Sequence, residues 1–319
     1  MKNTTRIEAN IIEYSQHPQI PELKICTFEL VYPYVVHAEV MTHRQFSRNA
    51  ASFRAVPTNV FIDEVIKTPY MPIHWGKNQK GMQAHEEQNV PVTVSWDYYD
   101  FENDRQYSET KTMSRERAWL AARDEAVRYA KAFGDAGYHK QVVNRLLAPY
   151  VHMRTVLTST HWANFDALRR HEDAEPIIRA LADKMYEARM STTPRILQEG
   201  EWHIPYTTQE EKDTLPLDVL KKISAERSAR VSYKLRDNSG RPYDPDFTLY
   251  KQLVESFPIH ASPIEHQATP DYFDVTEKLY GRSPWKNEKL HGNFTGFIQN
   301  RKTIEGEAVI EDYDILLKV

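Results

Sequence analysis

Residues 25–32, Ile25-Cys26-Thr27-Phe28-Glu29-Leu30-Val31-Tyr32, alternate so that Cys26, Phe28, Leu30 and Tyr32 fall on one face of a strand. Pro33 follows, and it suits the first turn of a helix because its missing N–H costs nothing there. Val36, Val40, His43 and Ser47 then recur at helical spacing, which predicts that His43 and Ser47 share the face that Val36 and Val40 bury. Glu39, four residues before His43, can pair with it or with a ligand. Asn49 and the Ala50-Ala51 pair mark the helix end. An extended Ser52-Phe53-Arg54 beyond them would turn Ser52 and Arg54 to one side. The stretch reads as strand, helix and polar hook.

Polar chemistry is densest in the hook. Thr42-His43-Arg44-Gln45-Phe46-Ser47-Arg48-Asn49-Ala50-Ala51-Ser52-Phe53-Arg54 holds three guanidinium groups, an imidazole, hydroxyls and the amide of Asn49. Guanidinium is the planar, bidentate partner of phosphate, so the set suits a phosphorylated, hydrogen-bonding ligand. A solvated helix end is the alternative.

The remaining sequence bounds the answer. The chain of 319 residues is 40% hydrophobic, with 18 Tyr, 12 Phe and 6 Trp, enough to bury a core, which makes disorder a poor reading. A net charge of −4 argues against a general nucleic-acid binder. No apolar run is long enough to span a membrane, and the polar start does not read as a signal peptide, so a cytoplasmic protein is expected. The single cysteine fits a reducing compartment. Cys26 shares the face of Phe28 and Leu30, which suits packing, whereas a catalytic thiolate needs an exposed, electropositive setting.

Residues 55–112 read as irregular, with a loop at Trp75–Gly81. Ser114 opens a helix with Trp119, Ala122, Ala126, Tyr129 or Ala130, and Phe133 as its stripe, closed by Gly134 and Gly137. A second helical stretch is expected from Lys140 to Arg170, broken near Pro149. A third follows Asp173, with Pro176 in its first turn, Ile178, Leu181, Met185 and Ala188 inside, and Arg179 beside the stripe. Residues 205–216 read as a connector and 247–257 as a short helix. Arg227–Lys234 is either an anion-binding loop or, more commonly for such a pattern, a solvated edge. His260-Ala261-Ser262-Pro263-Ile264-Glu265-His266 tempts a metal reading, but it lacks zinc-ligand spacing and Pro263 favours a loop.

Together these segments resemble the flavin-dependent thymidylate synthases (ThyX). That family's signature, Arg-His-Arg-x-x-Ser-x-Asn-x-x-Ser-x-Arg, is met at every specified position of residues 42–54 except the first, where Thr42 stands. Pro69–Ile73, Lys77–Gln79, Ala136–Tyr138, Asn144–Pro149, Arg154 with Thr158, and Ala174–Arg179 extend the likeness. Two further family segments, Ala229-Arg230-Val231-Ser232-Tyr233 and His260–His266, follow the signature here but usually precede it. The resemblance therefore implies a circularly permuted member, which is possible where termini lie close together. Its implied fold is α+β, an antiparallel-rich sheet packed with long helices. Residues 1–215 would carry the signature and 216–319 the displaced flavin loop and a tail, as one compact catalytic unit.

The resemblance also implies the chemistry: FAD, reduced by NADPH, with methylenetetrahydrofolate as one-carbon donor and dUMP as acceptor at C5. Arg179 would stabilise ionisation of the uracil at N3, with His260 near the flavin ring as the second catalytic candidate. Glu39, Ser52, Phe53, Arg54, Arg154 and Arg179 would bind dUMP. Thr42, His43, Arg44, Ala50, Arg169, His171, Ser232, Ser262 and Glu265 would contact FAD. A homotetramer with shared active sites is implied, without metal, nucleic acid or membrane. Thr42 in place of arginine leaves room for a modified product such as 5-hydroxymethyl-dUMP, or for a non-catalytic relative. Arg301 or Lys302 of the tail is a candidate to fill the gap at Thr42.

Overall fold

The computed structural model describes residues 5–232 and 243–307. Its strands are β1 (Glu8–Gln16), β2 (Lys24–Pro33), β3 (Ser47–Ala50), β4 (Val92–Asp100), β5 (Arg105–Met113), β6 (His152–Ser159), β7 (Arg195–Ile196), β8 (Ala268–Pro270) and β9 (Phe297–Gln299). The helices are α1 (His37–Met41), α2 (Thr58–Lys67), α3 (Arg115–Asp135), α4 (Lys140–Val143), α5 (Ala163–Arg169), α6 (Pro176–Ser191), α7 (Gln209–Thr214), α8 (Leu217–Ala229), α9 (Thr248–Leu253) and α10 (Val275–Leu279). The α+β expectation holds, with antiparallel pairing dominant.

The main sheet has the order β3-β6-β2-β1-β7. β2 lies at its centre, antiparallel to both β1 and β6. One face of β2 presents Cys26, Phe28, Leu30 and Tyr32, as its alternation predicts, and these pack on Ile177, Ile178, Leu181, Ala182 and Met185 of α6. Pro176 opens α6, and the Glu175 carboxylate caps it by accepting from the N–H groups of Ile177 and Ile178. The other face carries a buried polar network around Thr27 that reaches across the sheet. Thr27 Oγ1 lies 2.6 Å from Thr158 Oγ1 and 2.8 Å from His203 Nε2. Ser15 Oγ meets His203 Nδ1 at 2.9 Å, and Thr158 Oγ1 meets His266 Nδ1 at 2.8 Å.

Four expectations fail. Residues 140–170 are not one broken helix, because β6 runs through them between β3 and β2. Its β-branched Thr155, Val156 and Thr158 favour a strand, and sheet neighbours on both sides satisfy its backbone. The helix after Pro33 stops at Met41, so Ser47 opens β3 instead of continuing a helical face. Ser52-Phe53-Arg54 is a turn rather than an extended arm, since Ser52 Oγ accepts from the Arg54 N–H. Within 55–112 the chain forms α2 and the β4–β5 hairpin, paired from Val92↔Met113 to Asp100↔Arg105.

Smaller corrections follow. α3 starts at its Ser114 cap as expected and buries Ala130, one of the two alternatives, but Tyr129 and Phe133 are exposed and the buried side also carries Arg123 and Val127. Arg123 is admitted because its guanidinium donates to the carbonyls of Val65 and Ile66 at the end of α2. The 205–216 connector contains α7, opened by a Thr208–Glu211 capping box. Arg227 ends α8 buried, paired with Glu211 and donating to the Tyr206 carbonyl, so it is no solvated edge.

Candidate active site

α1 is only five residues long, and its last carbonyls need partners. Arg48 supplies them: its Nη1 donates to the Met41, His43 and Val40 carbonyls at 2.8, 3.2 and 3.4 Å. The first residues of β3 therefore lock the turn that presents Thr42 and His43. Of the three hook guanidinium groups this one is structural. Arg44 and Arg54 are exposed.

A long-range cation organises that turn. Arg169, at the end of α5, donates from Nε to His43 Nε2 at 2.9 Å, from Nη1 to Glu39 at 3.2 Å, and from Nη2 to Thr42 Oγ1 at 3.3 Å. It, rather than Arg301, meets Thr42. Burial, then Arg169 and Arg48, push the His43 pKa below its ordinary value. Glu39, Arg169, His171 and Arg179 line an open cleft of about 1190 Å³ bounded by His74, Gly76 and the 82–85 loop. Arg179 is exposed and, among the described residues, donates only to the Glu172 carbonyl, at 3.3 Å. His171 is exposed and pairs with Asp173. Burial first, with Glu39 also contributing, raises the Glu175 pKa on the same wall.

Phe53 and Arg154 line a different, smaller cleft of about 390 Å³ with Ala51, Arg6, His152 and Phe61. Arg154 faces Glu29 at 3.6 Å, and Glu29 accepts a 2.9 Å bond from the Tyr206 hydroxyl. Phe53 packs edge-on against Tyr34, while Asn144 holds the Phe53 and Val56 carbonyls. The expected dUMP residues are thus divided, with Glu39 and Arg179 at the large cleft and Phe53 and Arg154 at the small one.

The flavin candidates form a tract beside the large cleft. His171, Arg169, His43 and Thr42 lead to Arg48, whose charge acts in turn on Glu265. Glu265 sits past the turn Ser262–Ile264 and forms a short ion pair with Arg301. Ser262 and His260 are exposed, and Ala50 closes β3 half-buried. The Ser232 side chain lies outside the described residues, as do Tyr233 and Lys234. The metal alternative finds no support: His266 is committed to Thr158 and Glu265 to Arg301, and no metal-binding group of three or more His, Cys, Asp or Glu occurs among the described residues. Cys26 is buried, and burial drives its thiol pKa far up, against any nucleophilic role.

The family model described as thymidylate synthase complementing protein (Thy1) matches residues 2–195. The chain belongs to this family. As a Thy1 member it is an enzyme, a methyltransferase of thymidylate synthase-like type. Among crystal structures, the UMP/dUMP methylase PolB from Streptomyces cacaoi bound with 5-Br UMP is 16% identical, covering 58% of this chain and 89% of that one at a TM-score of 0.43. The same protein bound with 5-Br dUMP gives 16% identity, 58% and 90% coverage, and a TM-score of 0.40. Proteins of curated function give no match. No helix among the described residues is long and apolar enough to cross a membrane.

Two supports of the candidate residues were not read from sequence, the capping role of Arg48 and the Tyr206–Glu29 support of Arg154, and the tail residue Arg301, expected at Thr42, meets Glu265 instead. Only the periodicity of β2 hinted at any of them, since a carboxylate on a central strand requires a partner.

Proposed function

We propose that the protein transfers a one-carbon unit to C5 of dUMP, giving dTMP, with FAD as cofactor and NADPH and methylenetetrahydrofolate as co-substrates. The observation that carries this reading is the arginine-bearing wall of the large cleft, where Arg169 and Arg179 flank Glu39 and His171 within the family-matched residues. The cleft exceeds the roughly 300–1,000 Å³ of common small-molecule pockets, so it has room for a dinucleotide beside a substrate. His43, Arg169 and His171 supply donors for such a group, with Thr42, Arg44, Ala50, Ser232, Ser262 and Glu265 completing its proposed contacts. Bound FAD supplies the redox chemistry that converts the one-carbon unit to a methyl group.

The chain's own residues do the rest. Arg179 places a cation where negative charge develops on the uracil as N3 ionises, which strengthens C5 as a nucleophile once bound ligands exclude water from the cleft. Glu39 accepts from the base or sugar. Ser52, Arg54 and Arg154 hold the phosphate, and Phe53 lies beside them. His260 approaches the flavin from the displaced loop.

Because Glu39 and Arg179 lie at one cleft and Phe53 and Arg154 at another, a complete nucleotide site draws on neighbouring copies, in line with a homotetramer. Residues 1–215 and 216–319 act as one unit in a permuted order, in a cytoplasmic enzyme. A modified product such as 5-hydroxymethyl-dUMP is the second reading, favoured by Thr42 standing where the family signature has arginine. Tritium release from 5-tritiated dUMP, with NADPH and methylenetetrahydrofolate, tests the function, and mass spectrometry separates the two products. A protein that binds flavin but releases no tritium overturns the proposal.

A further inference from the structure

Residues 291–302 lie beyond the family-matched part of the chain, yet they grip its signature strand. Gln299 Nε2 donates both to Ser47 Oγ at 2.9 Å and to the Glu265 carbonyl at 2.8 Å, tying β3 to the 262–265 turn. Asn293 Nδ2 reaches the same Ser47 hydroxyl at 3.3 Å. Gly292 is built into this arrangement: it adopts φ +58°, and a Cβ there would fall 2.0 Å from Gln299 Oε1. Two residues past Gln299, Arg301 binds the Glu265 carboxylate on one side and Glu307 on the other, and Lys302 also holds Glu307 at 2.6 Å. Glu265 is therefore held at two points, its carbonyl by Gln299 and its carboxylate by Arg301.

We propose that Arg301 is a positioning residue that sets the orientation and charge of Glu265, making the C-terminal segment a working part of the flavin-side wall. This rests on the FAD reading given above. The charged groups facing Glu265 are Arg48 from β3, and Arg301 and Glu307 from the 300–307 segment, while α8 meets the turn through Ala225, packed with Ala261 and Ile264. Burial first, with the like charge of Glu307 adding to it, raises the Glu265 pKa, and Arg301 and Arg48 oppose that rise. Removing Arg301 leaves a buried carboxylate with one cation and a nearby like charge, so it should hold its proton to higher pH.

The test uses the full-length protein and the variants R301Q, R301K and R301Q/E265Q. Without ligand, thermal unfolding is followed across pH. A carboxyl whose folded pKa is raised contributes stability at low pH and loses it as pH rises through that pKa. R301Q should therefore fall progressively below wild type as pH rises, R301K should track wild type, and R301Q/E265Q should lose the added slope. Fluorescence titration with FAD should show roughly tenfold or greater weakening in R301Q, the scale of one lost charge-assisted contact, with most affinity restored in R301K. An R301Q unfolding profile parallel to wild type, or unchanged FAD affinity, overturns the inference. A wild-type protein that takes up no FAD overturns the flavin reading instead, and the ligand-free profiles still decide whether Arg301 governs Glu265.

Discussion

Arg169 and His43 are joined by a single 2.9 Å bond, from the guanidinium Nε to the imidazole Nε2, across 126 residues of sequence. A guanidinium has no lone pair to offer, so Nε2 must be the acceptor and the neutral ring carries its proton on Nδ1. The bond thereby sets the tautomer and, with burial and Arg48, keeps the ring uncharged at neutral pH. His43 is then a fixed donor that adds no charge to a wall already carrying Arg169.

Replacing Arg169 by Gln should raise the His43 pKa, because one of the two cations that depress it is removed while burial remains. An NMR titration of the ring protons in both proteins gives the answer. An unchanged pKa would show that Arg169 does not control the ring. Flavin affinity should fall by roughly tenfold or more in the same variant, as one charge-assisted contact is lost and Glu39 and Thr42 lose their shared partner.

Arg179 tests the opposite case, a side chain with little structural work. It is exposed on α6 and donates weakly to a single carbonyl. Arg179→Ala should leave the unfolding midpoint within about 0.5 kcal/mol of wild type, as surface substitutions do. Turnover should drop roughly 10²–10³-fold, the usual loss when one electrostatic stabiliser is removed. Near-normal turnover with intact folding removes Arg179 from the catalytic role.

The sequence exposed the chemistry of this wall more fully than its geometry. Alternation in 25–32 identified a strand, and Pro176 in a first turn with the apolar stripe after it identified α6, because both signals are local. The signature located His43, and the spacing four residues before it located Glu39, but neither showed their link to Arg169, which depends on a helix folding back over 126 residues. Helical spacing through Ser47 misled, because the same spacing fits a short helix followed by a strand. What decided between them was backbone pairing with β6, itself misread as helix. The 291–302 segment has no periodic signal, and its importance lies in single side-chain contacts to Ser47 and Glu265.

Thr158 gives a stability test on the polar face of the sheet. Its hydroxyl bridges Thr27 and His266, all buried. Thr158→Val should cost about 1–3 kcal/mol in urea unfolding, since it strands buried polar groups without creating a large cavity. The double variant with Thr27→Val should cost less than the sum of the two single changes, because each removes the other's partner. Strict additivity would mean that the two hydroxyls do not interact.

The same network fixes a pH response. His266 is fully buried, its Nε2 has no hydrogen-bond partner, and burial pushes its pKa down to about 3. His203, between Ser15 and Thr27, is likewise pushed well below its ordinary value, by burial first and then by Lys212, Arg195 and His266. A histidine with a depressed folded pKa contributes stability above its unfolded value near 6.5. That stability is lost as pH falls from there toward the folded pKa, because the unfolded chain takes up the proton first. The urea midpoint should therefore decline steadily below about pH 6.5. His266→Asn should flatten part of that decline, His203 accounting for the remainder. A variant whose midpoint declines in parallel with wild type would show that His266 is protonated equally in both states, and the network would then be open to water.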